Sequence, residues 1–345
     1  MSKRYYLPMI LHRPGHRAPL SDYGIEIPAA PDRISKILAA LAADPALGPI
    51  ENEWLIGDDG GALTREDLER VHSPEYVNKL FTDEVEQVLI DVYELVDENG
   101  NYYRYNPANA KRPLKEMFDR TLRSQAGSYQ CCREALERGF CFYLAGGGHH
   151  AHRDFGHGFC ILNDIVIPLR RLQSEGRIKS AWIIDVDAHK GDGVADIAQD
   201  DESIVTLSAH MARGWPLDLP KTLADGSPNP VFIPSDIDIP IEHGEEPLYC
   251  ARLREGLAKL DTYPRPDVAL VQLGADPYEK DGLPSTAPLQ LTLEQLYERD
   301  RIIYEFLEER RIPGAYLMSG GYGDHSWEPY PPFLIPVLKE RLGLA

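Results

Sequence analysis

The sequence predicts an α/β protein built on a parallel sheet with helices on both faces. Short, almost wholly apolar runs recur at 140–145, 181–186, 203–207, 268–273 and 315–318. Helical patterns lie between several of them, at 161–175, 194–199, 246–260 and 293–310. Parallel strands are buried on both sides, so they read as continuous apolar runs rather than alternating ones. No internal repeat and no linker-like composition divides the chain, and one domain over 1–345 is expected.

The elements follow in chain order. The first 30 residues are rich in Pro, Gly and His and read as irregular. Their basic start is followed by an apolar run that Pro8 and His12-Arg13-Pro14 interrupt, which argues against a signal peptide. A helix is expected over 31–43, with Ile34, Ile37, Leu38 and Leu41 on one face. Thr64 followed by Asp67 has the form of a capped helix start, and Ser73-Pro74-Glu75 begins another short helix. Residues 99–113 carry no period and form a long loop or lid. A helix over 114–138 then leads into the alternating strands and helices.

Composition narrows the function. Asp and Glu number 55 against 36 Lys and Arg, a formal charge of −19. That argues against nucleic acid or an anionic membrane as partner and favours a neutral or cationic small one. No run approaches the roughly 20 apolar residues that cross a bilayer. The five cysteines are odd in number and form no CxxC, so a reducing cytoplasm is expected, without a disulfide framework.

In an open parallel sheet, ligands bind beyond the carboxyl ends of the strands. The unusual residues fall there: Gly146-Gly147-Gly148-His149-His150, Asp185-Val186-Asp187-Ala188-His189, Ser208-Ala209-His210, Gly274-Ala275-Asp276 and Ser319-Gly320-Gly321-Tyr322. On an extended segment Asp185, Asp187 and His189 share one face, while Ile184, Val186 and Ala188 pack inward. Carboxylates with an imidazole suit a borderline divalent metal such as zinc, with Asp276 as third ligand and one position left open. Capping of a following helix by Asp185 and Asp187 is the competing reading of the motif alone. His149 and His150 suit paired imidazoles beside a metal, each oriented by a carboxylate, or a surface pair. Tyr322, in a glycine loop, suits an oxyanion donor. Phe159 and Trp215 suit tunnel walls or ordinary core packing. Cys160 reads as a small buried residue rather than a nucleophile.

Together with Val71-His72-Ser73-Pro74-Glu75-Tyr76, Gly158-Phe159-Cys160, Asn163-Asp164 and Gly191-Asp192-Gly193, these motifs resemble the zinc-dependent histone deacetylase superfamily. That group includes bacterial histone deacetylase-like amidohydrolases, acetoin-utilisation proteins and acetylpolyamine amidohydrolases. The resemblance covers about residues 31–327. It implies an arginase-like, three-layer fold with a central, mostly parallel eight-stranded sheet. It implies Zn²⁺ on Asp187, His189 and Asp276, and His150 as general base and then acid. His149 would be its electrostatic partner, with Asp185 orienting His149 and Asp192 orienting His150. Tyr322 would donate to the carbonyl oxygen. A structural K⁺ would sit on backbone oxygens of Asp185, Asp187, His189 and Ala209 with the Ser208 hydroxyl. Gly158, Phe159, Trp215 and Leu283 would contact substrate.

Three departures from the family pattern carry expectations. Lys190 stands where many members have a second His and should point away from the metal. Gly148 replaces a bulkier side chain and should enlarge the cavity beneath the zinc. Leu283 occupies the position of the acidic gatekeeper of polyamine-selective members. The sequence reading is therefore an amidohydrolase acting on an acylated amine, acyl-lysine first and an acetylpolyamine or other small metabolite as the alternative. A homo-oligomer is compatible with it. A non-catalytic scaffold and a dimanganese ureohydrolase are less favoured, the latter because it needs more ligands.

Overall fold

Eight strands form one sheet: β1 (Ile10–Leu11), β2 (Leu55–Ile56), β3 (Phe140–Tyr143), β4 (Ala181–Asp185), β5 (Ile204–Met211), β6 (Ile237–Ile241), β7 (Val268–Gln272) and β8 (Gly314–Leu317). They are seen in a computed structural model that describes residues 9–16 and 19–344. The expectation for the basic N-terminal start falls largely on residues 1–8, outside those described. The spatial order is β2-β1-β3-β8-β7-β4-β5-β6, and every pairing is parallel. The sheet is thus wholly parallel.

Side-chain alternation along the strands sorts the interior into two cores, one on each face. Phe140 and Phe142, Trp182 and Ile184, Ala269 and Val271, and Tyr316 enter one. Cys141 and Tyr143, Ala181 and Ile183, Val268 and Leu270, and Ala315 and Leu317 enter the other. Both faces are covered, which is why the runs show no polar alternation. Helix Arg33–Ala43 packs Ile37 and Leu41, both fully buried, into the first core, as its periodicity predicts.

Several boundaries differ from the sequence reading. The helix expected from 161 starts at Val166, because the Asn163 side chain accepts the Val166 N–H at 3.1 Å and fixes the entry. β1 lies inside the stretch read as irregular, and like β2 it is only two residues long. β6 alternates buried Ile237, Ile239 and Ile241 with Asp238 and Pro240, and the proline is tolerated because β6 is an edge strand. Helix Tyr330–Leu342 contains Pro331, Pro332 and Pro336, which hide it from a propensity reading. Among the described residues, no helix is long and apolar enough to cross a membrane.

Candidate active site

The adjacent strands β3, β8, β7 and β4 deliver the segments 144–150, 318–322, 273–276 and 186–189 to one end of the sheet. Register brings the two acid-bearing segments together. Asp185 lies opposite Gln272, and the Val186 N–H continues the ladder to Gln272 O at 3.1 Å. Beyond that point the chain leaves the strand. The Asp187 N–H donates to Asp185 Oδ1 and the His189 N–H to Asp187 Oδ1, each at 3.1 Å. Local side-chain turns, not a continued pleat, therefore set the direction of these residues. The expected common face of Asp185, Asp187 and His189 is corrected accordingly: Asp185 turns to His149, while Asp187 and His189 meet Asp276.

Asp187, His189 and Asp276 are 1–4% exposed. His189 Nδ1 lies 3.3 Å from Asp187 Oδ1 and 3.1 Å from Asp276 Oδ2. Ligands about 2.0–2.2 Å from a tetrahedral ion stand about 3.3–3.6 Å apart, so this donor set fits a small divalent cation. The electrostatics agree. Burial and the neighbouring Asp187 raise the Asp276 pKa to about 7, the direction expected when two carboxylates are held close together in a buried place. Two glycines make the approach possible: a Cβ on Gly274 or Gly320 would meet Asp187 Oδ2 at 2.4 or 2.5 Å.

The paired histidines stand beside the donors. His149 Nδ1 bonds Asp185 Oδ2 at 2.7 Å, and His150 Nδ1 bonds Asp192 Oδ1 at 2.5 Å. Burial opposes charge on His149, but Asp185 and Asp187 outweigh it and raise its pKa to about 9. Burial and the neighbouring His149 push His150 down to about 3, so this imidazole is neutral. Tyr322 borders the same cavity and lies near Asp276 and Asp187. Burial and the charges of Asp276 and Asp187 hold its phenol well above its ordinary pKa, so it is a hydroxyl donor.

A cavity of about 720 Å³ joins these groups, and His149, His150, Gly158, Phe159, Asp187, His189, Trp215, Asp276, Leu283 and Tyr322 all border it. Asp185 and Asp192 lie one layer behind. Trp215 packs edge-on to His150 at 4.6 Å and to His189 at 5.5 Å between ring centroids. Phe159 stacks on Tyr93 and meets Tyr322 edge-on. Phe159 has φ +66°, a left-handed conformation that costs an aromatic residue about 1–3 kcal/mol and concentrates at functional sites. Gly158 is required beside it, since a Cβ there would meet Trp215 at 2.3 Å and His150 at 2.7 Å.

Lys190 points away as expected, its ammonium donating to the carbonyls of Ile233 and Val231. Gly148 does not enlarge the cavity as expected. A Cβ there would strike Leu162 O at 2.1 Å, so close backbone approach dictates the glycine. Four supporting residues escaped the sequence reading as such. Asp164 accepts the N–H groups of Gly147 and Gly148 at 3.1 and 2.6 Å. Asp281 accepts the Tyr322 N–H at 2.7 Å. Arg33 holds the carbonyls of the 319–321 loop. Arg299, fully buried, donates to Val186 O at 2.9 Å and Gly274 O at 2.8 Å and clamps the ends of β4 and β7. An Asp in the Asn163-Asp164 motif was the sole signal among them.

Fold and site define an α/β protein with a carboxylate–imidazole centre at the carboxyl edge of a parallel sheet. The chain belongs to the histone deacetylase domain family, whose model matches residues 27–329. It is 33% identical over 207 residues to an uncharacterised protein of Picosynechococcus sp., covering 60% of this chain and 64% of that one. It is 28% identical over 296 residues to the acetoin utilization protein AcuC of Bacillus subtilis, covering 83% and 73%. The match thus spans less than two thirds of the first of these relatives. The crystal structure of a histone deacetylase homologue from Aquifex aeolicus superposes with a TM-score of 0.65 at 24% identity, over 98% of this chain and 84% of that one, a likeness of fold.

Proposed function

We propose that the chain acts as one catalytic unit, a cytoplasmic metal-dependent deacylase that hydrolyses the amide of an acylated amine, with acyl-lysine as the substrate class. One observation carries this reading: a three-donor centre, a carboxylate-backed histidine pair and a tyrosine hydroxyl border the same cavity. Asp187, His189 and Asp276 would hold a zinc ion, which when bound supplies Lewis acidity toward the amide carbonyl and makes water nucleophilic near neutral pH.

The chain's own residues do the rest. His150, neutral and with Nδ1 fixed on Asp192, takes the water proton on Nε2 and returns it to the departing amine. His149, held by Asp185 through Nδ1, is the electrostatic partner of His150 beside the reacting amide. Tyr322 donates its hydroxyl to the carbonyl oxygen as charge develops there. Phe159 and Trp215 grip the aliphatic stem and exclude water. The same reading assigns a structural potassium ion to backbone oxygens of Asp185, Asp187, His189 and Ala209 and to Ser208. Support comes from Ser208 lying opposite Asp185 in the β4–β5 ladder. Acyl-lysine is favoured over a polyamine because Leu283 is apolar and Glu94, the lining acid outside the donor set, is paired with Arg104.

The test is hydrolysis of a panel of acyl-lysine peptides and acetylpolyamines, with elemental analysis of protein purified without added metal. We expect acyl-lysine turnover and one copurified divalent ion, lost in Asp187→Ala and His189→Ala. An ion retained in both variants, or no hydrolysis of any amide, defeats the reading.

A further inference from the structure

Behind His150 lies a second histidine–carboxylate cluster that the proposed reaction uses only in part. Asp192 gives Oδ1 to His150. Its other oxygen, Oδ2, faces His152 Nε2 at 3.2 Å and His157 Nδ1 at 3.5 Å. His152, His157 and Asp192 each offer a donor atom within 4.8 Å of the others. A tetrahedral ion with bonds of about 2.0–2.2 Å spaces its ligand atoms about 3.3–3.6 Å apart. Both measured edges lie close to that spacing, as do the 3.1 and 3.3 Å edges of the Asp187–His189–Asp276 set.

Two further features point to a ligand. His152 is fully buried, and its Nδ1 bonds Asp196 Oδ2 at 3.0 Å. A carboxylate on one ring nitrogen is the arrangement that fixes a ligating histidine and aims its other nitrogen. The buried His157 Nδ1 makes no hydrogen bond of good geometry among the described residues; it faces Asp192 Oδ2 at 3.5 Å, a gap that an ion between them would fill. The rest of the His157 side chain is 21% exposed, which gives an ion a way in and a water a place as fourth ligand.

We infer that His152, His157 and Asp192 form a second divalent-metal site of the zinc class, with two imidazole nitrogens, one carboxylate oxygen and a water. Loading releases to solvent the proton that His152 Nε2 otherwise shares with Asp192. The ion and His150 then occupy opposite oxygens of one carboxylate. Occupancy draws charge away from the oxygen that holds His150 Nδ1, so the second ion slows turnover. This effect rests on the role proposed for His150; the binding does not.

The experiment titrates protein carrying its copurified ion with Zn²⁺, removes free metal by dialysis and counts bound zinc. Wild type should take up a second equivalent. His157→Ala and His152→Gln should each lose it and keep the first, whereas Asp187→Ala should lose the first and keep the second. Turnover of an acyl-lysine peptide should fall about tenfold as the second equivalent binds to wild type, and not in His157→Ala. Saturation of wild type at one equivalent overturns the site, and so does a second equivalent that survives in both His157→Ala and His152→Gln. Uptake that leaves turnover unchanged establishes the site and overturns the brake. Two bound equivalents with no hydrolysis under any condition refute the proposed activity and leave the second site standing.

Discussion

Arg33→Met tests whether the loop that carries Tyr322 is held from beneath. Arg33 opens helix Arg33–Ala43 and is buried. Its guanidinium donates to the carbonyls of Ser319 at 2.9 Å, Gly320 at 2.6 Å, Gly321 at 3.3 Å and Ser326 at 3.2 Å, and to the Tyr330 hydroxyl at 2.5 Å. Methionine keeps most of the stem volume and deletes every donor. The contacts to Ser326, Gly321 and Tyr330 are buried, whereas those to Ser319 and Gly320 are part-buried, so that water can replace the guanidinium there. At about 1.5 kcal/mol for each buried charge-assisted bond, the variant loses about 4–5 kcal/mol. With an unfolding entropy of about 2.1 cal/mol/K per residue, that lowers Tm by about 6 °C. Gly321, at φ +134°, should relax once its anchor is gone, and Tyr322 with it. We therefore expect kcat to fall by about tenfold or more, with the metal retained and KM little changed. Calorimetry and steady-state kinetics on the same preparation decide it. A variant with wild-type Tm and kcat would refute the anchoring argument.

Other expectations concern the site and the core. Tyr322→Phe should reduce kcat by about 10²-fold while KM changes less, and near-normal turnover would remove the hydroxyl from the mechanism. His150→Ala should abolish turnover and keep the copurified ion, as elemental analysis would show; loss of the ion would make His150 a ligand instead. His72 is buried, with Nδ1 donating to His152 O at 2.8 Å and Nε2 accepting the Asn163 N–H at 3.1 Å. Burial pushes its pKa down to about 4, below the unfolded value of 6.5. Its contribution to stability is therefore present above pH 6.5 and is lost as pH falls toward 4, by about 3 kcal/mol. In urea melts the stability gap between wild type and His72→Gln should stay constant above pH 6.5 and change by about 3 kcal/mol between pH 6.5 and 4, and profiles that run parallel over that interval would count against a neutral His72.

The central strands were legible because each carries an almost wholly apolar run, as strands of a sheet covered on both faces do. β1 and β2 were not, since two residues are too few to show a period, and β6 was hidden by Pro240. The site was legible where its chemistry sits beside a strand end. His149, Asp187, Asp276 and Tyr322 each follow an apolar run, so their order in sequence already gives their place in space. The groups that hold them lack that property. Arg33 reaches the 319–321 loop across almost the whole chain, and Arg299 clamps Val186 and Gly274 from the middle of helix Leu293–Arg310. Nothing near either arginine in sequence marks it, because its partners are backbone carbonyls, which every residue has. Gly148 shows the converse error. A missing side chain read as open space, yet Leu162 O and the Asp164 carboxylate fill the direction a Cβ would take. The cavity that holds the donors also extends to Ala29, Ala30, Ile34 and Leu38, which border it. Acyl-chain capacity should therefore respond to bulk at Ala30 or Ile34. Substitution at Gly148 should instead disturb the turn that sets His149 and His150, and so change kcat before chain-length preference. A Gly148→Ala enzyme with normal kcat and a shortened acyl preference would restore the original reading of that glycine.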